Sequence, residues 1–184
     1  MQILWFLLEN LFFVLVGAAL LRAWMNQLRL RMTQQPGLFV MALTDWIVKP
    51  LRRALPRRWQ QSPLDWASLL AADLLALAYA LILHLLLLLQ QPALDPMVWL
   101  WSVPWLALKF LLRTVLQGLI GITLIHALLS WIQPLSPIQG LFSRLLDPLL
   151  QPLRQRLPRL GGVDLSALVL LLLLQVLLLA LASA

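Results

Sequence analysis

The chain has 184 residues, 62% of them hydrophobic and only 11% charged, with a mean hydropathy of +0.89; a soluble domain carries roughly a quarter charged residues, so a surface facing only water is excluded. The formal charge of +7 is not spread as a nucleic-acid-binding surface would need: eight of the 14 Lys and Arg lie between Arg22 and Arg58, four between Arg144 and Arg159, and only Lys109 and Arg113 elsewhere. Cys is absent, which excludes disulfides, zinc–thiolate sites and thiol nucleophiles.

About 20 apolar residues are needed to cross the ~30 Å hydrocarbon core as a helix. Ile3 to Leu21 forms the first such span. No basic residue precedes it, Glu9 lies inside it and the basic residues follow it, so it reads as a retained helix and not as a signal peptide. The basic loop 22–64 comes next. Leu38 to Val48 has apolar residues at helical spacing, with Asp45 and Lys49 four apart as a candidate pair. Pro50 suits the first turn of a new short helix, and Pro56 stops that helix. Arg52, Arg53, Arg57 and Arg58 then face the headgroups of anionic lipid. Asp65 is placed to cap the second span, Ala67 to Leu89.

The connection 90–109 holds the apolar but short stretch Met97 to Leu108, broken by Pro104, which is expected to be interfacial or re-entrant rather than a span, with the alternative that it forms part of a long third helix left open. The third span runs from Phe110 to Trp131. A second basic loop, 132–164, carries Asp147, Pro152, Arg154, Arg156, Pro158 and Arg159, and Asp164 is placed to cap the fourth span, Leu165 to Ala182. Residues 38–55 and 140–157 are expected to form short amphipathic helices lying in the plane of the membrane. Trp5, Trp99, Trp101 and Trp105 mark one headgroup belt, and Trp24, Trp46, Trp59, Trp66 and Trp131 the other. Positive charge puts both basic loops in the cytoplasm, with the termini and the 90–109 connection outside.

The two loops resemble each other. Asp45-Trp-Ile-Val-Lys-Pro-Leu-Arg-Arg-Ala-Leu-Pro56 aligns without a gap on Asp147-Pro-Leu-Leu-Gln-Pro-Leu-Arg-Gln-Arg-Leu-Pro158. The chain is thus an all-α membrane protein of two parallel helix–basic loop–helix repeats, 1–90 and 110–184, joined by 91–109.

Ionisable residues within spans are costly. At ~1.5 Å per residue, Glu9, His84 and Arg113 lie roughly 9, 8 and 5 Å below the outer face, and Asp73 and His126 roughly 9 and 8 Å from the inner one. Two candidate ionic layers follow, Glu9 with His84 or Arg113 and Asp73 with His126. The alternative is that each side chain snorkels or bonds a backbone carbonyl. A haem shared by His84 and His126 is not expected, because their depths differ by roughly 14 Å where two axial imidazoles need about 4 Å.

The doubled D-x-x-x-x-P-L-R-x-x-L-P, the Gly161-Gly-Val-Asp-Leu-Ser166 run and the Leu21-Arg-Ala-Trp24 exit from the first span resemble the YggT family of bacterial membrane proteins, related to YlmG, over nearly the whole chain. The resemblance departs at Ser62-Pro63 and at Ala167. It implies a link to osmotic and potassium-stress tolerance; YlmG-type members sit near cell-division genes, and plastid relatives are linked to haem attachment in cytochrome assembly. It brings no agreed activity and no catalytic residue. With no nucleophile motif, P-loop or H-E-x-x-H and only two His, the expectation is a non-enzymatic protein of a bacterial cytoplasmic membrane, without cofactor, metal or nucleic-acid partner. Its expected role is that of a scaffold, assembly or osmotic-stress factor. Its expected partners are membrane lipids with anionic headgroups, other membrane proteins or a second copy of itself. The rival is an ion channel or transporter subunit with a pathway at the repeat interface, for which mid-membrane supplies only Gln175.

Overall fold

The computed structural model describes residues 2–30, 32, 35–60, 62–90, 96–133, 135–155 and 165–183. These form seven α-helices and no strand: α1 (Gln2–Gln27), α2 (Gly37–Ala54), α3 (Arg57–Gln60), α4 (Trp66–Gln90), α5 (Pro96–Ile132), α6 (Pro137–Arg154) and α7 (Leu165–Ser183). Four of them, α1, α4, α5 and α7, are long and apolar enough to cross a bilayer. The amphipathic helices α2 and α6 stand where the two basic loops were expected to hold them.

Two expectations are corrected. Residues 97–108 are not a separate interfacial or re-entrant segment; they open α5, a continuous helix of 37 residues, roughly 55 Å long at ~1.5 Å per residue. Pro50 and Pro152 do not open new helices, but lie inside α2 and α6. The reason is the same in each helix. Proline deletes one amide donor and frees the carbonyl four residues earlier, which lies on the proline's own face. Pro50, Pro104, Pro148 and Pro152 are all exposed, so the fault falls on the outer face while the opposite face packs. Pro56 does act as a stop: Leu55, just before it, is extended (φ −71°, ψ 142°), as a residue preceding proline prefers.

The chain divides into two units, Met1–Thr114 and Val115–Ala184. In the first, α1 packs on α4, and α2 packs against both. Asn26 meets Asp65, and Phe12 meets Tyr79, so α1 and α4 run antiparallel in one register. Lipid chains are as apolar as leucine, so close helix approach comes from small side chains. Ala19 of α1 and Ala67, Ala71, Ala72, Ala76 and Ala80 of α4 supply them, all buried. The start of α5 joins this core through Ala107 and Phe110, the latter stacked on Tyr79 with ring centres 4.2 Å apart.

α1 closes on a Schellman motif. Leu30 N–H donates to Met25 O and Arg29 N–H to Asn26 O, with Arg29 at φ 52° in the left-handed region. In the second unit, Leu146 and Leu150 of α6 pack with Leu170 and Leu174 of α7, and Leu116, Leu119, Ile120 and Ile122 of α5 lie against them.

Candidate functional site: an ionic clamp beneath α2

Val40, Thr44 and Val48 are buried and four apart, so one stripe of α2 faces the first unit. Asp45 borders this stripe. Its carboxylate accepts from Arg22 of α1 at 2.9 Å and from Lys49 at 2.7 Å. Arg22 is only 5% exposed. It also donates to Thr44 Oγ1 at 2.8 Å, and that hydroxyl in turn donates a hydrogen bond to Val40 O at 2.7 Å. A guanidinium that cannot lose its charge is thus matched by a carboxylate and a hydroxyl inside the packed end of the unit.

Seven residues on from Asp45, and on the same side of α2, Arg52 donates to both oxygens of Asp65, at 3.0 and 2.9 Å. Asp65 also accepts from Asn26 Nδ2, from Ser68 Oγ at 2.7 Å and from Ser68 N–H at 3.4 Å. It therefore caps α4 and ties α4 to α1 and α2. Two carboxylates, two arginines, a lysine and three neutral side chains fix three helices at one end of the unit.

The electrostatics agree. The Lys49 hydrogen bond holds the Asp45 carboxyl below its ordinary range, against partial burial and with help from Arg22. Burial pushes the Asp65 carboxyl up, but the bonds from Ser68 and Asn26 and the charge of Arg52 outweigh it, so it too titrates below its ordinary range.

The other expected residues are placed as follows. Arg53 is exposed on α2, and Pro56 follows that helix. Asp147 pairs with Arg154 at 3.2 Å inside α6. In α2 the same two motif positions also reach beyond their own helix, Asp45 to Arg22 of α1 and Arg52 to Asp65 just before α4. Asp45 has Lys49 one turn away as well, whereas the matching position in α6 is Gln151, which offers Asp147 no charge. Pro158 and Asp164 lie outside the described residues.

Glu9 and Arg113 come together, with Arg113 donating to Glu9 Oε1 at 2.7 Å. His84 is buried, and its ring bonds Ala80 O at 3.0 Å and Ser102 Oγ of α5 at 2.7 Å. A carbonyl only accepts, so Nδ1 carries the proton there. Asp73 is exposed on α4 in the first unit, and His126 is buried on α5 in the second. Among the described residues no three His, Asp or Glu converge on a metal-sized site.

Asn26, Thr44 and Ser68 carry the network and Ser102 holds His84 without standing out in the sequence, and Arg22 stands out there only as part of the exit from the first span. Arg22 and Asn26, one turn apart at the close of an apolar span, are a polar face where a lipid-facing helix has no use for one, and that spacing is the signal that could have found them.

A CCB3/YggT family model matches residues 1–86 and 105–184. The chain is 34% identical over 177 residues to "Uncharacterized protein YggT" of Escherichia coli (strain K12), covering 96% of this chain and 87% of that one. It is 30% identical over 166 residues to "Uncharacterized protein in proC 3'region" of Vibrio alginolyticus, covering 90% and 85%. No solved structure matches it.

Proposed function

Because the chain belongs to the CCB3/YggT family, we propose that it is a non-enzymatic scaffold of a bacterial cytoplasmic membrane that uses α2 and α6 as docking platforms in assembly or in tolerance of osmotic stress. The observation that carries this reading is the clamp. An amphipathic helix bound only to lipid is free to slide and tilt, whereas α2 is fixed by Arg22–Asp45 and Arg52–Asp65 to the ends of α1 and α4. The face it turns away presents Phe39, Trp46, Pro50 and Arg53, all exposed. A rigid aromatic and cationic stripe is what a docked partner needs, since little ordering entropy remains to be lost on binding.

The two-repeat organisation is supported by the loop motif recurring 102 positions on and by the family match over 1–86 and 105–184. Both loops lie in the cytoplasm by the clustering of positive charge. Arg53, Arg57 and Arg58 meet anionic headgroups there.

The test is photo-cross-linking in native membranes from a probe at Trp46. A discrete protein adduct is expected, one that disappears with Phe39→Ala and weakens with Asp45→Asn, which loosens the platform. Adducts with lipid alone, unchanged by either substitution, would refute the scaffold reading.

A further inference from the structure

Lys109 and Arg113 are the two cations that the clustering of positive charge leaves unexplained. They stand one turn apart on α5, and Trp101 and Trp105 continue the same row of every fourth residue towards the start of the helix. Both indoles are exposed, and Lys109 Nζ lies 5.2 Å from the centre of the Trp105 ring. Side chains on an α-helix tilt towards its N-terminus, so both cations lean towards the indoles. Arg113 shows how far. Its neighbour Thr114 stands level with Gly17 of α1, 3.7 Å from where a Cβ on Gly17 would lie. Yet the Arg113 guanidinium meets Glu9, about two helical turns nearer the start of α1.

Glu9 Oε1 occupies one of the five guanidinium donors. The Arg113 side chain stays 50% exposed and that of Glu9 38%. Turned to hydrocarbon, the remaining donors would be costly. Indole rows mark the headgroup level instead, and an anion is at hand there. Two cations less one carboxylate leave one positive charge, which the single negative charge of a phosphodiester closes.

We infer that Lys109, Arg113 and the neighbouring Trp105 ring form a binding site for the headgroup phosphate of an anionic phospholipid, in the leaflet at the end of the first unit opposite α2. Glu9 orients Arg113 and does not touch the ligand. An ethanolamine headgroup would bring a further cation to a site already cationic, so phosphatidylglycerol is preferred to phosphatidylethanolamine. The site is separate from the platform on α2 and stands whether or not that platform docks a partner.

Native mass spectrometry of the full chain, released from micelles with added phosphatidylglycerol, reads lipid retention directly. Lys109→Gln with Arg113→Gln should weaken retention roughly thirtyfold, at ~1 kcal/mol for each cation near a surface. Glu9→Gln should retain the lipid or tighten it, because a like charge beside the phosphate is removed. Should the double variant not fold, Lys109→Gln alone leaves the Glu9–Arg113 pair intact and should still weaken retention about fivefold. Equal losses in Glu9→Gln and in the cation variants would mean that the ion pair is only structural, and would overturn the site. So would retention that ignores Lys109 and Arg113.

Discussion

Arg22 cannot shed its charge, so a guanidinium 5% exposed at the end of α1 must be matched where it stands. Its two-sided match makes the clamp asymmetric. Among the described residues, removing Asp45 leaves the buried Arg22 with the Thr44 hydroxyl alone, whereas removing Arg22 leaves an Asp45 side chain that is 29% exposed and still bonded to Lys49. Asp45→Ala should therefore cost about 3–5 kcal/mol. Arg22→Met, which fills the space without a charge, should cost less than half as much. Thermal unfolding in one detergent compares the two, and equal losses would contradict the asymmetry.

The pH dependence has a definite sign. Asp45 and Asp65 both titrate below their ordinary range in the folded protein. Their contribution is therefore complete above the unfolded carboxyl value of about 4 and is lost as pH falls through the lower folded values. Hydrogen exchange of the α2 amides should be flat in intrinsic-rate-corrected protection from pH 5 to 8 and should lose protection only below about pH 4. Loss of protection beginning near pH 6 would point to a histidine and not to the clamp.

At the scale of elements, the two ends of the segment between α1 and α2 make opposite demands. Arg29 takes a left-handed conformation at the end of α1, where a Cβ is unfavourable, so Arg29→Gly should stabilise the first unit by about 1 kcal/mol. Gly37 opens α2 with no room to spare. A Cβ there would lie 2.7 Å from Met32 Cα and 2.9 Å from Met32 O, both backbone atoms that cannot swing away. Gly37→Ala should destabilise by about 1–3 kcal/mol, in the manner of overpacking. The opposite signs of the two shifts in melting temperature are the measurement. Outward-facing prolines belong to the same scale, since α2 and α5 each run through one, and α6 through two, where the inner face is packed.

At the scale of the molecule, four candidate spans and the clustering of positive charge in the loops between them predict that both ends of the chain lie outside. Reporter fusions after Ala184 should read outside, and fusions within 36–60 should read cytoplasmic. A cytoplasmic C-terminus would contradict four crossings. α5 is the element on which the two units share residues, since the boundary after Thr114 falls inside it. Its length of roughly 55 Å exceeds the ~30 Å core, so part of it stands outside the hydrocarbon or the helix tilts. Trp101 and Trp105, in its first turns, are the residues suited to that headgroup depth.

Four spans, two amphipathic helices in basic loops and the family were legible in the order of residues alone, because apolar length, charge clustering and the D-x-x-x-x-P-L-R-x-x-L-P spacing are properties of neighbours along the chain. Glu9 and Arg113 could be named as candidates for the same reason: a charge inside an apolar run is conspicuous wherever the run packs. What the chain order did not contain was who meets whom. Asp45 reads as the partner of Lys49 one turn on, yet it also holds Arg22, and Arg52 pairs with Asp65, beyond the end of its own helix. Nor could a local reading carry α2 through Pro50 or join 97–108 to the third span, since both depend on an opposite face having something to pack against. Those choices rest on distances across α1, α2, α4 and α5, where residues far apart in sequence supply the countercharge, the small side chains and the ring that make a buried cation or an interrupted helix stable.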